Sequence, residues 1–196
     1  MRSLSLAALV SLSVFAVGGA RAAAQFKPTN DVVVPTSPGF MLMSTDLKAN
    51  TFAMPQILNG FGCTGGNVSP ELSWHGTPAG TQSFVLAMYD PDAPTGSGFW
   101  HWVVANIAAS ATGIPAGASR TNKMPAGSLE TRNDTGATGY AGPCPPPGPA
   151  HRYIFTLFAM KVPKIDVTGE ASGALVGFNT RANALGATTL TTKYGR

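Results

Sequence analysis

Glycine and proline interrupt this chain so often that no long helix can run through most of it. Twenty-three glycines and 16 prolines stand among its 196 residues. Proline lacks a backbone donor, and glycine costs ~1 kcal/mol relative to alanine inside a helix. Between the breaks lie short apolar runs bounded by turn residues: "SFVLAMYD" (83–90), "HWVVANI" (101–107) and "RYIFTLFAM" (152–160). Each is apolar on both faces and of strand length, which predicts the central strands of a sheet. "GFMLMSTDL" and "ELSWHG" predict weaker strands, and only "EASGALVGFNTRANALG" has helical length. Many short strands joined by Gly/Pro turns predict a mostly β fold, a sandwich. Neither an internal repeat nor a linker divides the chain.

The first residues read as a targeting segment. Met1-Arg2 is a basic start, residues 4–17 are apolar and uncharged, and "GGARAAAQ" supplies small residues for cleavage. The apolar run is too short to span a bilayer, so residues 1–24 are expected to be a secretory signal peptide cleaved after Ala24, with no transmembrane segment afterwards. Residues 25–196 then form one domain. Loss of Arg2 and Arg21 takes the formal charge from +4 to +2, and the remaining basic residues are scattered. No basic patch with interleaved aromatics is present, so nucleic acid is not an expected partner. Cys63 and Cys144 are an even pair in a chain read as exported, and a disulfide between them is the default expectation, with two unpaired thiols as the alternative. Neither has a CxxC or CxxxH companion for zinc.

The densest polar signal is "YDPDAPTGSGFWHWVVANI" (89–107). Asp-Pro pairs initiate turns, and an aspartate capping a turn would account for Asp90 and Asp92 taken alone. Two prolines fix the backbone around Asp92, however, and hold both carboxylates more rigidly than an exposed turn requires. By strand alternation His101 shares a face with Val103, Ala105 and Ile107, whereas His151 and Tyr153 share a face with Phe155 and Leu157. All these polar groups fall near strand ends, where binding residues of β folds gather. His101 is equally readable as a core histidine, and His75 as a surface turn residue.

Other patterns carry less. "GFGCTGG" matches G-x-G-x-x-G but no nucleotide-binding helix follows it. "CPPPGP" reads better as a stiff wall feeding a strand than as a ligand for an SH3-like module. "NVS" and "NDT" match the glycosylation sequon.

The two long motifs together, "YDPDAPTGSGFWHWVVANI" and "GYAGPCPPPGPAHRYIFTLFAM", closely resemble the phosphatidylethanolamine-binding protein (PEBP) family, in particular its bacterial Raf-kinase-inhibitor-like branch. "GNVSPELSWHGTPAGTQSF" and "EASGALVGFN" fit the same branch, and the resemblance runs from about Phe40 to Arg196. It implies a PEBP-like sandwich of two antiparallel sheets with a few short helices, one near the C-terminus. It also implies a small pocket at one end, lined by Asp90, His101, His151 and Tyr153 and walled by Pro145 and Pro146, that accepts phosphate-like or carboxylate groups, including a phospholipid head group. On this reading the bend aims Asp90 at His101, favouring its protonated form or fixing its tautomer. A Cys63–Cys144 bond would staple the pocket wall.

These residues predict an exported protein, periplasmic or secreted, that binds a small anion or phosphorylated head group without catalysis and without a cofactor or resident metal. Two alternatives belong to other classes: a metal-dependent hydrolase using Asp90, His101 and His151, and an inhibitor-like interaction protein working on a protease or kinase. The resemblance also makes a homodimer possible.

Overall fold

The computed structural model describes residues 35–196, so the proposed signal peptide lies outside the described residues. The chain forms a mostly β architecture of antiparallel sheets. A three-stranded sheet holds β1 (Met41–Met43), β4 (Leu72–His75) and β7 (Gly113–Ile114) in the order β1-β4-β7. A five-stranded sheet holds β5 (Ser83–Asp90), β6 (Phe99–Ala108), β8 (Leu129–Glu130), β9 (His151–Met160) and β10 (Ala184–Tyr194) in the order β10-β9-β5-β6-β8. A two-stranded ribbon pairs β2 (Asn59–Gly60) with β3 (Cys63–Thr64). Among the described residues one α-helix, α1 (Gly173–Arg181), precedes the last strand.

The three runs predicted as central strands are β5, β6 and β9, and they occupy the middle of the large sheet with β5 between the other two. Their double-sided apolar character follows from that position. One face packs Phe84, Leu86, Met88, Trp102, Val104, Phe155 and Leu157 against Leu42, Leu72 and Trp74 of the smaller sheet. The opposite face packs Val85, Val103, Ala105, Phe158 and Met160 under Val176 of α1 and under Ile165 and Ala171. The helix is shorter than its sequence pattern suggested. Ser172 caps it by accepting from Leu175 N at 3.2 Å, and it stops at Arg181 because the following residues are needed for β10. Strand β10, 11 residues long, was not expected from the sequence.

Strand alternation fails along β6, and the failure shapes the site. The pairing runs Met88↔Trp102 and then Tyr89↔Trp100, so His101 is an extra residue opposite no partner on β5. A second irregularity lies between Phe84↔Ile107 and Leu86↔Val104, where Asn106 takes φ 60°. Each bulge inserts one residue and reverses the side to which the following side chains point. His101 therefore does not share a face with Val103 and Ala105, which lie under the helix, nor does Ile107, which joins the main core. Instead His101 turns toward Tyr153, whose ring it meets edge-on at 5.1 Å.

Beside Tyr153 in register stands Thr192, fully buried, with its hydroxyl lacking any partner among the described residues. A buried hydroxyl without a hydrogen bond is destabilising, so the isosteric Thr192→Val is expected to raise stability by about 1 kcal/mol. A urea denaturation midpoint that falls in this variant would contradict the assignment.

Candidate functional site

All six residues expected to form a pocket meet in one. Asp90, His101, Pro145, Pro146, His151 and Tyr153 line a cavity of about 130 Å³, together with Leu58, Phe61, Pro94, Phe99 and the turn residues between them. Pockets for drug-sized ligands run to roughly 300–1,000 Å³, so this one suits a group the size of a head group or small anion. It opens at the end of the large sheet where β5 stops and β9 starts, which is where the polar residues were expected.

Its polar floor is built by the DPD turn. Asp90 is buried, and both oxygens of its carboxylate are engaged: Oδ1 accepts from Asp92 N at 2.8 Å, and Oδ2 pairs with His151 Nδ1 at 2.7 Å. Asp92 grips the next residue of the neighbouring strand, accepting from Arg152 N, Nε and Nη2 at 2.9, 2.9 and 2.8 Å. Both explanations offered for the turn hold, since Asp90 caps it and reaches into the pocket. The arginine holds Asp92 down to about 2, below its ordinary carboxylate value.

The expectation that Asp90 is aimed at His101 is corrected: its partner is His151. His101 Nδ1 instead donates to the carbonyl of Ala141 at 2.8 Å, because that wall segment runs alongside the bulge and Ala141 N returns a bond to His101 O at 2.9 Å. A carbonyl only accepts, so Nδ1 carries the proton and Nε2 is left for the cavity. Nor does the nearby carboxylate decide the charge of His101. Burial dominates and lowers its pKa below the usual histidine value of 6.5, against smaller opposing pulls from Ala141 and Asp90. The same logic at His151, whose Nδ1 faces a carboxylate, leaves its Nε2 as the second free ring nitrogen.

Tyr153 supplies the most telling atom. Its phenol is fully buried and lines the cavity, yet its hydroxyl has no hydrogen-bond partner among the described residues. Burial pushes its pKa far up, so it stays a neutral donor. Buried donors are nearly always satisfied, and one that is not, standing beside two imidazoles in a small cavity, points to an acceptor brought in from outside.

The wall is stiff for identifiable reasons. Cys144 is bonded to Cys63, with Cα atoms 6.0 Å apart, as the even cysteine count suggested. Leu58 N donates to Pro143 O at 3.2 Å, and Gly142 N donates to Asn67 Oδ1 at 2.8 Å. Gly142 is required there: a Cβ would sit 2.2 Å from Gln56 O. Arg196, which sequence reasoning did not single out, donates through Nε to Pro145 O at 2.6 Å and through its terminal nitrogens to Gly62 O and Phe61 O. The two sequon asparagines are structural. Asn67 holds the wall, and Asn133, buried, accepts from Thr135 N and donates to Gly139 O. Among the described residues no group of three or more His, Cys, Asp or Glu side chains is placed to hold a metal ion, and no helix is long and apolar enough to cross a membrane.

Two measurements check this account. The disulfide closes a separation of 81 residues, so the Cys63→Ser/Cys144→Ser variant is expected to lose about 4 kcal/mol in a denaturant titration. The depressed His101 pKa means that the unfolded chain takes up its proton first as pH falls. The stability associated with neutral His101 is thus complete above about 6.5 and lost below it, while that of Asp92 persists until pH drops from 3.8 toward 2. An NMR titration placing the His101 midpoint above 6.5 would contradict the first of these.

Comparison with known proteins agrees with the geometry. The family model described as phosphatidylethanolamine-binding protein matches residues 48–195. The protein YbhB of Escherichia coli is 48% identical over 155 residues, covering 78% of this chain and 98% of YbhB. The crystal structure of E. coli YbcL, described as a member of the mammalian PEBP family, superposes with a TM-score of 0.78 at 44% identity, covering 81% of this chain and 99% of YbcL. LppC of Mycobacterium tuberculosis, designated a candidate lipoprotein, is 39% identical over 119 residues, covering 57% of this chain and 55% of LppC. The chain therefore belongs to the phosphatidylethanolamine-binding protein family.

Proposed function

We propose that this protein binds a small anion or the phosphorylated head group of a larger ligand in the Asp90–His101–His151–Tyr153 pocket, and that it does so without catalysis. The observation that carries this reading is the buried, partnerless Tyr153 hydroxyl lining a cavity beside two imidazoles whose Nδ1 atoms are already engaged. A phosphate oxygen entering there accepts from the phenol, and the Nε2 atoms of His101 and His151 complete its shell. Neutral imidazoles have a lone pair at Nε2, so a phosphate oxygen must either bring its own proton or be met by an imidazolium. Binding of a phosphate is therefore coupled to proton uptake and strengthens as pH falls.

A binding role fits better than metal-dependent hydrolysis because Asp90 is engaged by the turn and by His151, and among the described residues it does not form a three-ligand metal group with the two histidines. Export fits the Cys63–Cys144 disulfide, since such bonds persist in oxidising compartments, and fits the designation of the mycobacterial relative.

The test is calorimetric titration with inorganic phosphate and with phosphoethanolamine, on the parent and on Tyr153→Phe. Removing an unsatisfied buried hydroxyl leaves the ligand-free protein as stable or more so, yet it removes a hydrogen bond to a charged group worth ~1.5–3 kcal/mol. Phosphate affinity should therefore fall roughly tenfold or more while the melting temperature holds or rises. Equal affinity in the two proteins, or no heat with either ligand, would overturn the proposal.

A further inference from the structure

A second set of donors lies on the smaller sheet, outside the pocket. Strand β1 reads Met-Leu-Met and pairs antiparallel with β4 in the register Met41↔His75, Leu42↔Trp74, Met43↔Ser73. Leu42 and Trp74 form the buried pair, so Met41, Met43, Ser73 and His75 share the outer face. Met41 is 49% and Met43 40% exposed, and His75 is exposed with no hydrogen bond or ion pair from its ring among the described residues. Next to Ser73 on β7 stands Gly113, which adds no side chain to cover the face. The nearby carboxylate, Glu71, is engaged through Oε2 by Thr45 N and Oγ1 at 2.8 and 3.0 Å.

We propose that Met41, Met43 and His75 form a surface site for a soft monovalent cation of the Cu(I) or Ag(I) class. Opposed residues of an antiparallel pair hold their Cβ atoms about 4.5–5.5 Å apart, and diagonal ones about 7–8 Å. Met41 and Met43 are separated by two strand steps, roughly 7 Å. Two thioethers on three rotatable bonds each, with one imidazole directly across, converge on a single ion from those anchor points. Thioether sulfur selects Cu(I) over hard cations, and three neutral donors suit a single positive charge. Both cysteines are oxidised, so no thiol among the described residues competes for a soft metal. The interior face of the same strand pair is closed by Leu42 and Trp74, whose burial in the core anchors the edge strand β1 that carries the two methionines.

The experiment titrates the purified protein with Ag(I), a probe that needs no reductant, while following the methionine methyl and histidine ring signals by NMR. The Met41 and Met43 methyls and the His75 ring are expected to shift together and saturate at one equivalent. Met41→Leu/Met43→Leu, which preserves volume, should weaken binding at least a hundredfold, and His75→Gln at least tenfold. Met54→Leu, at a methionine 59% exposed elsewhere on the surface, should change nothing. Retained affinity in the double variant, or an equal loss in Met54→Leu, would overturn the assignment. A competition against a chromogenic Cu(I) chelator under anaerobic conditions then tests the natural ion, and failure to withdraw Cu(I) while Ag(I) binds would exclude copper.

Discussion

The molecule is organised around a double grip between two strand ends. Asp90 and Asp92, at the exit of β5, hold His151 and Arg152, at the entry of β9. The two strands are neighbours in the large sheet, paired as far as Tyr89 and Ile154, and the grip continues their contact past the last paired residues. Alternation along a turn would normally send adjacent carboxylates in different directions to no common purpose. Here the prolines on either side of Asp92 fix the backbone so that both carboxylates meet the same neighbouring segment. The inner pair is buried and belongs to the pocket. The outer pair, with Arg152 about half exposed, contributes little energy of its own and acts mainly to hold the inner pair in place.

Around this grip the pocket divides its work between groups that hold position and groups that remain available. Asp90, the Ala141 carbonyl, Asn67, Arg196 and the disulfide all belong to the first kind. The Tyr153 hydroxyl and the two Nε2 atoms belong to the second. For the proposed ligand such a division lowers the entropic cost of binding, because the donors it would meet are already oriented. It also costs stability, since an unsatisfied phenol deep in the structure is a standing penalty that a phenylalanine would avoid. The proposed binding role and folding therefore pull this one residue in opposite directions.

Much of this was legible in the sequence. Runs apolar on both faces identified β5, β6 and β9 as interior strands, because only a strand covered on both sides needs no polar alternation. The resemblance of the two long motifs to a known family gave the lining of the pocket, and the even cysteine pair gave the bond in its wall. Three things were not legible. Strand β10 was hidden because "ATTLTTKY" is an edge strand whose threonines alternate between core and solvent, and the helical composition before it masked its start. Asp90's true partner was missed because strand alternation says which way a side chain points but not which neighbouring strand it leans toward. The bulges at His101 and Asn106 were invisible because an extra residue in a strand leaves no mark on a run that is hydrophobic throughout. Arg196 drew no attention because a single arginine bonding to carbonyls has no sequence pattern at all.

The bulge at His101 has a consequence for how such a site can arise and be lost. In a regular ladder this position would point under the helix with Val103, and the end of the sheet would be an ordinary packed edge. One surplus residue in β6 turns an imidazole through the sheet and opens the space that the cavity occupies. The cavity is thus a counting error retained by the chain. It is separated from a plain, better-paired sheet by a single codon, and a deletion there would erase the pocket while leaving the sandwich and every residue of both long motifs but one intact.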